Sequence, residues 1–137
     1  MDLTEIEDRL KIYDLFVRYT LAVDNWDEAA LFGCFTEDGV LETPVLGGRF
    51  AGRDGQRKFV QAGRSRAEGV QMRHVFSNLG VRFEAGSALA QSYFVVYATR
   101  NAKTELSVVG RYNCRLRKLA NEWLFEYRGV LIDSKPS

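Results

Sequence analysis

The chain has few of the residues that mark specialised chemistry. Its 137 residues include one histidine, two cysteines and two prolines. Cys34 and Cys114 stand far apart, each among apolar neighbours, and match no zinc or redox spacing. Each reads as a small buried side chain, and a reducing cytoplasm is the expected compartment. So few sulfur and imidazole ligands exclude a dedicated transition-metal site, and neither metal nor cofactor is expected. An excess of one charge is also missing. Nineteen basic and 18 acidic side chains leave +1, no field to gather nucleic acid or anionic lipid. The longest apolar runs, such as Tyr93 to Ala98, are far too short to span a bilayer. The opening Met1-Asp2-Leu3-Thr4-Glu5 is acidic and polar, unlike a secretory signal. Gly47-Gly48-Arg49 lacks the lysine and spacing of a phosphate loop, and no Gly-x-Ser-x-Gly elbow occurs.

What remains is an ordinary globular composition, 46% apolar and 27% charged. Residues 1–137 form one domain with one core, and a short tail from about 133, around Pro136, is expected to fray. The first third reads as helical. Thr4 and Glu7 form a capping box, and Ile6, Leu10, Tyr13, Val17 and Leu21 recur as one apolar stripe. Asp24 falls at the end of this helix. Asp27 can cap a second, short helix carrying Ala30, Leu31, Cys34 and Phe35. Thr36 to Gly39 reads as a turn, Val40 to Thr43 as a strand, and Gly47-Gly48 as a second turn. Asp54 can cap a third helix to about Ala62, with Phe59 and Val60 inward.

The second half is rich in β-branched and aromatic residues: Arg73–Glu84, Leu89–Thr99, Glu105–Leu116 and Glu122–Ile132. Ala85-Gly86-Ser87, Asn101-Ala102-Lys103 and Ala120-Asn121 separate these stretches. Such short connections predict antiparallel neighbours, and the whole predicts an α+β fold with helices on one face of a curved sheet. Ser92–Thr99 is apolar on both alternating rows, so its outer face needs a cover; a homodimer through the sheet is expected.

His74 is the one side chain that exchanges a proton near neutral pH without a large shift. Taken alone, it reads first as a histidine packed at a strand end. Asp24 is a carboxylate misplaced at a helix C-terminus, where the free carbonyls are already negative. It caps the next helix, lies in solvent, or accepts a hydrogen bond from His74, which would fix the imidazole tautomer and leave the other nitrogen for substrate. Tyr19, on the same helix, is either core packing or a donor to a departing oxygen or enolate. Arg128 shares an alternating row with Leu124, Glu126 and Val130. It pairs with Glu126 or another acid, or holds an anion or carbonyl oxygen. Tyr97 and Tyr112 are candidates to line a cavity, as are Phe16, Phe35 and Phe59. The basic run Arg53, Arg57, Lys58, Arg64, Arg66 reads as a solvated helix face, not a nucleic-acid site.

Several stretches in order resemble the SnoaL-like, or nuclear transport factor two-like, superfamily. They are Tyr19-Thr20-Leu21-Ala22-Val23-Asp24, Leu31 to Gly39, Gly52-Arg53-Asp54-Gly55, Arg73-His74 and Glu122-Trp123-Leu124-Phe125. The likeness runs from about Leu3 to Ile132. It implies a cone: a curved, mixed, mostly antiparallel sheet with three N-terminal helices over a deep apolar pocket. In the scytalone dehydratase, bile-acid dehydratase and hexachlorocyclohexane dehydrochlorinase members, an aspartate near the end of the first helix works with a histidine on the first long strand. Asp24 and His74 are similar to that pair, Tyr19 to a tyrosine of the bile-acid enzyme, and Arg128 to a dehydrochlorinase arginine. There are departures. The dehydrochlorinase lysine is absent, and Tyr97 or Ala98 stands where scytalone dehydratase has a second histidine. The expected function is a cofactor-independent lyase or isomerase acting on a small, apolar, cyclic substrate. The alternative is a non-catalytic member, such as a ligand carrier or a ring-hydroxylating dioxygenase small subunit.

Overall fold

A computed structural model describes residues 1–134, and Lys135, Pro136 and Ser137 lie outside the described residues. The frayed tail expected around Pro136 therefore falls mostly outside them, while the last strand runs on to Ser134. The elements follow as α1 (Leu3–Asn25), α2 (Glu28–Phe32), β1 (Phe35–Thr43), β2 (Gly48–Ala51), α3 (Gly52–Arg66), β3 (Gln71–Glu84), β4 (Ser87–Arg100), β5 (Lys103–Leu119) and β6 (Glu122–Ser134). The fold is α+β, with one open six-stranded sheet in the order β2-β1-β6-β5-β4-β3. Only the β1–β6 pairing is parallel; every other neighbour is antiparallel. Among the described residues no helix is long and apolar enough to cross a membrane.

The three long hairpins turn where expected. Asn101-Ala102 and Ala120-Asn121 each place both central residues at positive φ, the primed turn that suits right-twisted strands. Gly86 takes φ 72° in the third. Asp27 caps α2, accepting from the Ala30 N–H at 3.1 Å. Two other caps differ from expectation. Asp2, not Thr4, caps α1, accepting from the Glu5 N–H. Helix α3 starts two residues before Asp54, after Ala51, and has no side-chain cap.

The face that α1 buries is a larger correction. The stripe Ile6, Leu10, Tyr13, Val17, Leu21 faces outward, with Leu10 67% and Tyr13 55% exposed. The buried stripe is Asp8, Ile12, Leu15, Phe16, Tyr19 and Val23. Both sets recur at helical spacing, because α1 carries two apolar stripes on opposite sides. Asp8 belongs to the inner one because Trp123 Nε1 donates to it at 2.9 Å and Lys118 Nζ lies 3.0 Å away. These contacts staple the start of α1 to the β5–β6 hairpin.

Thr36–Gly39 is an irregular stretch within β1 and not a turn between elements. Phe35 pairs with Phe125 and Val40 with Tyr127, so β1 carries three more residues than its partner there. Side chains of α3 hold this bulge. Gln56 Nε2 donates to the Gly39 carbonyl at 3.0 Å, and Arg53 Nη1 to the carbonyls of Phe32 and Phe35. Helices α1 and α3 cover one sheet face: α1 packs on β3 and β6, and α3 on β1 and β2. Between them and the strands lies a cavity.

Candidate functional site

The cavity holds about 450 Å³, within the usual range for a small-molecule site. Helix α1 supplies Tyr19 and Val23 and α3 supplies Phe59, while the edge strand β3 supplies Met72 and His74 and its neighbours β4 and β5 supply Phe94, Val96, Val108 and Tyr112. Trp26 follows α1 in the left-handed conformation, which directs its indole into the same wall, 5.6 Å from the Phe59 ring centroid. Gly63 is required opposite it, since a Cβ there would collide with the Trp26 ring. Gly110 has a similar reason. A side chain there would meet Phe94, whose ring instead stacks on Tyr112 at 4.3 Å.

The polar groups are few and convergent. His74 lies on β3 opposite Val96 of β4, both facing the cavity. Asp24 sits in the last turn of α1. Its Oδ1 accepts from the His74 backbone N–H at 2.9 Å and lies 2.7 Å from His74 Nδ1. The two side chains retain only 12% and 6% of their surface. With Nδ1 donating to the carboxylate, the neutral ring carries its lone pair on Nε2. Among the described residues no hydrogen bond engages Nε2. The carboxylate that is ill placed at the end of α1 thus gains two donors from β3. Gln71 adds a third tie, donating from Nε2 to the Asp24 carbonyl at 3.1 Å.

Tyr19 and Tyr112 are both buried at the cavity wall. Burial pushes both phenols above their ordinary pKa, opposed by the positive charge of Arg128. They are therefore neutral hydroxyls near neutral pH. Arg128 is fully buried beneath them. Its guanidinium carbon lies 3.6 Å from the Tyr112 ring centroid and 3.8 Å from that of Tyr19, with Phe125 and Phe16 also in range. Nη1 donates to Cys114 Sγ at 3.5 Å, while Nε and Nη2 have no partner among the described residues. A buried cation without a carboxylate is costly, and the four rings offset only part of that cost.

The expected row Leu124, Glu126, Arg128, Val130 does not exist. Register slips by one residue between Arg115–Tyr127 and Leu116–Phe125, so β6 bulges at Glu126. Trp123 and Phe125 point inward before the bulge and Arg128 after it. Glu126 faces Arg117 at 3.0 Å and does not touch Arg128.

The structure thus brings Asp24, His74, Tyr19, Tyr112 and Phe59 around one cavity. Three expected lining residues lie elsewhere. Phe16 and Phe35 are wholly buried in the core and do not reach the cavity; Phe16 packs 5.4 Å from Phe125 and Phe35 5.5 Å from it. Tyr97 follows Val96 on β4 and so faces the opposite side, 42% exposed. Arg128 is under the cavity wall and not in it. Trp26 and Met72 line the cavity with no sequence signal that marks them for it, and Gln71 braces Asp24. Trp26 offers only its place directly after a helix end, which marks no cavity. The others depend on strand register.

A model of the SnoaL-like domain matches residues 4–129, and the chain belongs to that family. No curated protein matches it. Among solved structures it is similar to a variant of Rv3472 from Mycobacterium tuberculosis, a protein of unknown function. The two share 29% identity at a TM-score of 0.84, over 94% of this chain and 73% of that one. A candidate aromatic ring hydroxylase from Novosphingobium aromaticivorans shares 27% identity at a TM-score of 0.79, over 96% and 93%. A candidate scytalone dehydratase from the same organism shares the fold at 19% identity and a TM-score of 0.83, over 99% and 91%.

Proposed function

We propose that the protein is a cofactor-independent lyase or isomerase in which His74, held by Asp24, is the general base for a small, apolar, cyclic substrate. The supporting observation is the 2.7 Å contact of His74 Nδ1 with Asp24, on a ring that lines an apolar cavity with Nε2 unengaged. In this reading Nε2 takes a proton from a carbon next to an activating group. The released electron pair forms a double bond as a leaving group departs, or shifts an existing double bond before the proton returns at another carbon. The hydroxyl of Tyr19 or Tyr112 donates to the departing group or developing enolate oxygen. Arg128 acts through these tyrosines, since its charge beneath the rings favours negative charge on their oxygens.

The test is a panel of cyclic ketones and β-hydroxy ketones in deuterated water, followed by NMR. The wild-type protein should catalyse deuterium uptake or elimination. His74→Ala should lower the rate by at least about a hundredfold while leaving the melting temperature near wild type. Equal rates for the two proteins overturn the reading.

A second reading has one observation in its favour, the 27% identity with the candidate ring hydroxylase. There the chain is an accessory subunit, and it would co-purify with an iron–sulfur protein. A simple apolar module has no need of an oriented histidine, which favours the enzyme.

The assembly proposed is a homodimer through the outer sheet face. Val75, Tyr93, Tyr97, Leu106 and Leu131 are all exposed on β3 to β6, and cross-strand pairs such as Val75–Val95 and Val95–Val109 join them into one patch.

A further inference from the structure

The basic run of α3 separates into two groups. Arg53 donates to the carbonyls of β1 and its approach. Arg57 pairs with Glu28 and Asp54. Arg64 donates to the Trp26 carbonyl at 2.7 Å. Lys58 is exposed on the outer side of the helix. Arg66 differs from all of these. It lies one turn beyond Gly63 on the row that begins at Phe59, and all three residues line the cavity. It is exposed, so it stands at the mouth. Among the described residues it makes no hydrogen bond and no ion pair. The other ionisable groups lining the cavity are Tyr19, His74 and Tyr112, so Arg66 is the one permanent charge on an otherwise apolar wall. Arg66 ends α3 and His74 stands on β3 beyond the Ala67–Val70 turn, and both line the cavity. A second cation stands at the same end. Arg100 follows Ala98 on the inner row of β4, and its Nη1 would be 3.2 Å from a Cβ placed on Gly69 in that turn. The exposed acids there, Glu68 and Glu105, make no ion pair with either arginine.

We propose that Arg66 reads an anionic group on the ligand, so that the molecule taken is an apolar ring body carrying one carboxylate, or a similar anion, at the end that remains at the mouth. The guanidinium presents a planar fork matched to a carboxylate. The proposal rests on the cavity being the ligand site, and not on proton transfer at His74.

The test uses two dyes with the same rings, anilinonaphthalene sulfonate and its uncharged parent phenylnaphthylamine, titrated by fluorescence. Competition between them establishes a shared cavity. Arg66→Gln should weaken the sulfonate by about two- to fivefold and leave the neutral dye within twofold. Raising the salt should erode the sulfonate's affinity in the wild type more than in Arg66→Gln. Equal sulfonate affinity in both proteins overturns the proposal. So does parallel weakening of both dyes, which would show lost shape and not lost charge, and so does failure of either dye to bind. Turnover of the wild type and dye binding by Arg66→Gln are separate measurements, so this result and the proton-transfer reading can fail independently.

Discussion

One carboxylate oxygen of Asp24 holds both the backbone N–H and the ring Nδ1 of His74, 50 residues further along the chain. The imidazole is thereby fixed in position by its backbone and in tautomer by its ring. A single histidine makes this directly readable by NMR. The wild-type ring should show a protonated Nδ1 and an unprotonated Nε2 in its neutral form. Asp24→Asn keeps an acceptor for the backbone N–H, but its amide can also present a donor to the ring, so the tautomer should become mixed. Turnover should fall by at least about a hundredfold with little loss of stability. A wild-type ring protonated on Nε2 would contradict this.

Arg128 should trade stability for function. Its guanidinium is fully buried with two nitrogens unpaired. Replacing a buried charge with an apolar side chain of similar volume is often stabilising by about 1–4 kcal/mol. Arg128→Met should therefore unfold at higher denaturant concentration than wild type. It should also turn over substrate more slowly, since the phenols lose the charge beneath them. A clear loss of stability would mean that the four aromatic contacts outweigh the desolvation.

The two thiols predict the alkaline limb of stability. Burial pushes Cys34 and Cys114 from an ordinary 9.0 to about 11. The native state holds these protons after the unfolded chain has released them. The associated stability is complete below pH 9 and is lost as pH rises toward 11. Denaturant titrations at pH 8, 9, 10 and 11 should show that decline, and Cys114→Ala should flatten it. The same thiols should resist alkylation at pH 8 until the chain unfolds.

If the outer sheet face joins two copies, a charge at its centre should separate them. Val95 lies between Val75 and Val109 in the registered strands. Val95→Asp should convert a two-chain mass by light scattering into a one-chain mass, with the His74–Asp24 pair intact on the other face. A wild-type mass of one chain at micromolar concentration would rule this assembly out. Tyr97→Phe, on the same outer face, should leave turnover unchanged, whereas Tyr19→Phe should lower it.

The site was legible only where chemistry singled out a residue. Asp24 stood out because a carboxylate at a helix end needs a donor, and His74 because no other imidazole competes. Tyr97 was misjudged because a strand residue's face depends on its register with a neighbour. Only the pairing of His74 with Val96 sends Tyr97 outward. Arg128 was misjudged for a related reason. Simple alternation puts it in a row with Glu126, but the bulge at Glu126 inverts the parity of everything after it. On α1 the stripe through Leu10 was as periodic as the stripe through Ile12, and periodicity alone does not choose between them.

Local rules were enough to set the three helices, the four long strands, their order, three of the hairpin turns and the cap at Asp27, because each depends on neighbours within a few residues; they did not reveal β2, and they carried α2 on to Phe35, which in fact begins β1. They also supplied the family resemblance that the domain match supports. Tertiary packing alone decided which stripe of α1 is buried, which face each strand residue takes and how a basic run divides into ties, an outward lysine and a mouth arginine. Those outcomes depend on register, bulges and contacts between distant segments, and a repeat of 3.6 or 2 residues carries no label for inside or outside.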